Sequence, residues 1–172
     1  YQVDGATVLI LESIVQTTAF TPLSLSLYNT GVDDSGTPLD NDSTSDPHYE
    51  LISVPDGSSS DILVTNSGDG ISGWISPDNN NSSSSPPGDY TYRTTFNLPD
   101  TVNLDRFFID GEWHTDDEGT TITLNGIEQY LASNPNYNTD FVPFTINEGF
   151  ITGENILEFT VNNAGTEINP TV

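Results

Sequence analysis

The chain has no lysine and no cysteine, and Arg93 and Arg106 are its only basic side chains apart from two histidines, against 26 carboxylates: a formal net charge of −24 over 172 residues. A surface so short of positive charge has nothing with which to neutralise phosphates, which excludes nucleic acid and anionic membrane as partners. It also repels itself unless salt or divalent cations screen it, which points to a saline or calcium-rich setting outside the cell. The missing cysteines remove disulfides, thiolate metal sites and thiol nucleophiles together. Stability must come from packing and bound ions. No apolar run approaches the roughly 18 residues of a membrane span, and no stretch reads as a helix longer than a turn or two. The first residue is Tyr1 rather than methionine, as expected of a mature secreted or surface-displayed chain whose leader has been removed.

What is present is β patterning. Residues 88–99, GDYTYRTTFNLP, alternate Tyr90, Tyr92, Thr94 and Phe96 with Thr91, Arg93, Thr95 and Asn97 between proline and glycine stops, which is a strand with one buried face. Residues 120–126 alternate Ile122 and Leu124 with threonines and end in Asn125-Gly126, a strand running into a tight turn. Further strands are expected at 22–28, 49–54, 61–66, 105–113, 141–146 and 155–161, with an Asp/Asn/Ser-rich loop at 29–47, a low-complexity Asn/Ser loop at 78–88 and a polar loop at 129–140. Short strands at this spacing are those of an antiparallel all-β sandwich in one domain, 22–172, preceded by an apolar segment, 1–21. Within that segment residues 5–15, GATVLILESIV, form the most hydrophobic run of the chain. Both of its alternating faces are largely apolar, so both are expected to be covered.

Few residues carry chemistry. His48 and His114 are the only histidines, and no nucleophile-elbow pattern accompanies them, so no enzymatic activity is expected. The run GDGISG at 68–73 matches a dinucleotide fingerprint in letters only, because it leads into Trp74 and a proline instead of a helix. Asp33, Asp34, Asp40, Asp42 and Asp46 in one loop, with Asp116 and Asp117 in what reads as a solvated hairpin turn, are candidate ligands for a structural calcium ion, which takes about six to eight oxygens. Trp74, Trp113, Tyr130 and Tyr137 are candidate sugar-stacking aromatics, set against ordinary core or rim packing for the tryptophans. Asn41, Asn80 and Asn81 each begin an Asn-x-Ser acceptor pattern.

The segments GDYTYRTTF, FIDGEW, TITLNG, Phe141-Val142-Pro143-Phe144 and ILEFTVNNAG, in that order, resemble the galactose-binding-like jelly-roll domains of glycoside hydrolases and microbial surface proteins, over roughly 27–172. The resemblance implies a jelly-roll fold, a packing role for His48, a structural calcium and, in its sugar-binding members, a carbohydrate ligand. Such domains usually continue into one more apolar strand that closes the sheet, where this chain stops and instead carries an extra apolar strand at its front. Two placements are open. The segment containing Val8, Leu9, Ile10, Leu11, Ile14 and Val15 fills the vacant position in its own sandwich, or it is donated to a neighbour and builds a homopolymer. The expected function is that of an extracellular structural or adhesive filament subunit, with a carbohydrate-binding module as the alternative.

Overall fold

A computed structural model of the chain describes residues 7–13, 25–39, 45–65, 70–77, 85–136 and 140–164, the first of these segments as backbone. The described residues form ten strands: β1 (Thr7–Ser13), β2 (Glu50–Ser53), β3 (Ile62–Thr65), β4 (Trp74–Pro77), β5 (Gly88–Leu98), β6 (Ile109–Thr115), β7 (Glu118–Leu124), β8 (Ile127–Glu128), β9 (Val142–Ile146) and β10 (Gly153–Asn163). They make two five-stranded antiparallel sheets, ordered β3-β4-β1-β6-β9 and β2-β5-β10-β7-β8. The protein is all-β, and among the described residues no helix is long and apolar enough to cross a membrane.

The second sheet is built on β5 and β10, which pair over eleven residues from Gly88↔Asn163 to Leu98↔Gly153. The alternation expected of β5 is realised: Tyr90, Tyr92, Thr94, Phe96 and Leu98 are buried, and the residues between them face outward. On that outward face Arg93 lies between two carboxylates. Its Nε and Nη2 donate to Glu158 Oε1 at 3.0 and 2.6 Å, and Nη1 is 3.8 Å from Glu50. Opposite-charge partners on adjacent strands fix register as well as adding modest attraction.

The inner faces of the sheets meet through aromatic contacts. Phe159 of β10 lies 5.8 Å from Trp113 of β6 and 5.9 Å from Phe144 of β9, while Phe107 and Phe96 both meet Phe150 edge-on. Both ends of β10 are pinned by asparagine side chains. Asn155 exchanges hydrogen bonds with the Ile151 backbone and accepts from Asn125 Nδ2, and Asn125 Oδ1 accepts from Ile156 N–H. At the far end Asn163 Nδ2 donates to the carbonyls of Ser85 and Pro86. Asn125 and Gly126, at φ 52° and 78°, make the expected tight turn between β7 and β8.

Four expectations are corrected. Residues 25–28 are irregular rather than a strand, although Leu25 and Leu27 still pack on the core; residues 22–24 lie outside the described residues. The strand expected from 105 starts only at Ile109, after a 3₁₀ turn at Leu104–Arg106 capped by Asn103. Trp74–Pro77, which the pattern does not predict, is a strand paired to β3 and β1. Finally, Asp116 and Asp117 do not form a solvated hairpin, because β6 and β7 belong to different sheets; the link crosses the edge of the sandwich and Asp116 is buried.

Gly119, just beyond that link, is where β7 passes over the Trp113 indole. A Cβ there would lie 2.6 Å from the indole and 2.7 Å from Pro135, so one added methyl overpacks the core. Gly119→Ala is expected to lower unfolding stability by about 1–3 kcal/mol, measured as a reduced urea midpoint at unchanged m-value.

Candidate functional site

The N-terminal strand occupies the centre of the first sheet. β1 pairs with β6 through six register pairs, from Thr7↔Thr115 to Ser13↔Asp110 with a bulge between Leu11 and Ser13, and with β4 through Thr7↔Ile75. β4 continues only into the hairpin with β3, and β6 only into its pairing with β9. Among the described residues, two separate ladders are therefore joined within this sheet solely by β1. Without it, β4 and β6 would face each other across a slot about 9–10 Å wide, two strand spacings, lined by unpaired backbone donors and acceptors. The segment expected as a donor strand is thus placed, in the single chain, at the centre of its own sheet as residues 7–13. Val8, Leu9, Ile10 and Leu11 lie on β1, while Ile14 and Val15 lie outside the described residues.

The described candidate carboxylates have separate surroundings. Asp33 Oδ1 accepts from Ser35 N–H, Ser35 Oγ and Thr37 N–H, and these bonds hold its carboxyl below the usual value. Asp46, buried, accepts from the N–H groups of Gly31, His48 and Tyr49 at 2.6–3.0 Å. Burial pushes its pKa up and those three donors oppose the shift. Its job is to tie the 30–32 turn to the start of β2. Gly31, at φ 67°, lies so close to Gly73 that a Cβ would come within 2.5 Å of the Gly73 Cα, which gives the last residue of the GDGISG run a packing role. Asp34 is exposed and lies 3.7 Å from His48 Nε2, and Asp117 Oδ2 accepts from Ala164 N–H at 2.8 Å. Among the described residues no three His, Asp or Glu side chains gather to hold a metal ion; Asp40 and Asp42 lie outside them.

The aromatic candidates separate as well. Trp113 is fully buried against Phe159, so it is a core residue and no part of a sugar platform. Trp74 is half-buried, with His114 5.0 Å away at 58°, and His114 is in turn 5.6 Å from Phe141 at 60°. These tilted rings present no continuous flat face. Tyr130 is 85% exposed and borders a groove of about 320 Å³ with Gln129, Pro143, Thr145, Asn147 and Glu148. Tyr137, Asn41, Asn80 and Asn81 lie outside the described residues.

Both histidines are held in packing roles. His48 stacks on Tyr28 at 3.7 Å and 8°. The Nε2 of His114 is 3.1 Å from the Asn136 carbonyl, to which it can donate in the matching tautomer, and burial lowers its pKa. No family model, no curated protein and no solved structure matches the chain.

The His114 shift has a definite sign. Its pKa is below the ordinary 6.5 in the folded chain, so folding favours the neutral ring; that contribution is fully present above pH 6.5 and is lost as pH falls through the folded value. The His114 contribution to unfolding free energy is expected to fall as pH drops below 6.5, and His114→Gln should remove that contribution from the pH profile.

Proposed function

We propose that the chain is a structural subunit of an extracellular filament, assembled by inserting residues 7–13 of one copy into the β4–β6 slot of the next. The observation that carries this reading is the central position of β1, an N-terminal strand whose removal splits a sheet in two. A neighbour's identical segment would make the same backbone pairs, so exchange costs little in contacts once copies are concentrated. Residues 14–24, when extended, reach roughly 35–40 Å, comparable to the width of a domain of this size. A head-to-tail contact of this kind does not close on itself and propagates as a filament. The net charge of −24 makes screening a condition of assembly, with salt or calcium as counter-ions of the acidic surface. That charge also supports a location outside the cell. The engaged histidines support a non-enzymatic role.

The galactose-binding-like resemblance supports a second reading, a carbohydrate-binding module, favoured by the exposure of Tyr130 on its groove. One ring face against a sugar, with Gln129, Asn147 and Glu148 as polar partners, makes a minimal subsite. Glycan-array binding that Tyr130→Ala abolishes would support it; an unchanged array profile would remove it.

Negative-stain microscopy of the purified chain at high salt is expected to show filaments. Deleting residues 1–15 should leave subunits that do not polymerise, and a synthetic peptide of residues 6–15 should bind and stabilise them. Ile10→Asp should block assembly, because it sets a second carboxylate opposite its register partner Glu112. If residues 7–13 serve only their own sandwich, the wild type stays monomeric at every salt concentration. Each substitution then acts only on monomer stability, by about 1.5–3 kcal/mol per apolar side chain removed from cover.

A further inference from the structure

Trp74 and His114 belong to strands that are not neighbours. Thr7 of β1 is paired with Ile75 on one side and Thr115 on the other, and Val8 with His114. Trp74 and His114 therefore flank β1 at the same register position, one step along. Their backbones are about 9–10 Å apart, two strand spacings, yet their ring centroids are separated by 5.0 Å. The rings lean toward each other across β1. Both lie on the outer side of the sheet, since the adjoining Ile75, Trp113 and Thr115 are buried in the sandwich while Trp74 and His114 are half-buried. His114 is backed by the Phe141 ring and by the Asn136 carbonyl.

We infer that Trp74 and His114 form a clasp that retains whichever strand occupies the β4–β6 slot. For the chain's own residues 7–13 the inference stands alone; for the same segment of a second copy it rests on the strand-donation reading. The slot's inner side is closed by the core, so a strand leaves toward the outer face or by sliding along its own axis. The outward path is the one the two rings obstruct. The flank they bridge also needs it most, because β1 meets β4 at one register pair and β6 at six.

Hydrogen exchange of the full chain, read by mass spectrometry, tests the clasp. Trp74→Leu and His114→Gln should each speed exchange of residues 7–13 by about three- to tenfold, the size of one aromatic pair, with β10 amides unchanged. The double variant should add little to either single one, because both remove the same contact, and Trp74→Phe, which keeps a ring, should restore most of the protection. Equal acceleration of 7–13 and β10, or none in 7–13, would overturn the clasp. Uptake of a labelled 6–15 peptide, measured in parallel, separates the two ideas. Filaments and peptide uptake with 7–13 exchange unaltered in the variants would leave donation standing without the clasp. Selective loosening of 7–13 in a chain that takes up no peptide and forms no filament would leave the clasp standing without donation.

Discussion

The first sheet depends on one strand at its centre, β1. β3-β4 and β6-β9 are each complete as local pairings, but among the described residues their backbones are joined only through β1. Every backbone group along the inner edges of β4 and β6 must find a partner there, since an unpaired N–H or carbonyl in a covered sheet costs about 1–3 kcal/mol. The second sheet is likewise joined at its centre by one strand, β10, which pairs with β5 on one side and β7 on the other. Its β5 and β10 pair along their whole length and are locked at both ends by Asn155 and Asn163. β1 has the shorter pairing of the two central strands, with one register pair to β4 and six to β6.

The place of β1 ties fold to proposed function. A strand in the middle of a sheet is the one whose loss exposes most backbone, and β1 holds that place in the first sheet. The acidic surface bears on the same step. Bringing together copies that each carry −24 is opposed at low ionic strength and permitted when the screening length shrinks to about 8–10 Å.

Much of the architecture is readable in the sequence because half-buried antiparallel strands write their burial every second residue. Tyr90, Tyr92 and Phe96 do so in β5, Ile109 and Trp113 in β6, and Leu157, Phe159 and Val161 in β10. The strand at Trp74–Pro77 escapes that reading because it is four residues long, ends in proline and sits between a glycine-rich turn and an Asn/Ser tract. Asp116 reads as solvated because its sequence neighbours are acidic; only the jump from one sheet to the other buries it. The apolar character of residues 7–13 announces a strand, and β1 is one. Nothing local says that its neighbours are β4 and β6, nor that Trp74 and His114, forty residues apart, close over it.

The absence of native cysteine makes the central claim directly measurable. Ile10 and Glu112 are register partners across β1 and β6, so chains carrying Ile10→Cys alone and chains carrying Glu112→Cys alone can be mixed, incubated at high salt and oxidised. Donation predicts a disulfide-linked heterodimer of the two variants that is absent below the salt concentration needed for assembly. A mixture that yields no such heterodimer, while the double variant on one chain closes its disulfide within the monomer, would contradict it.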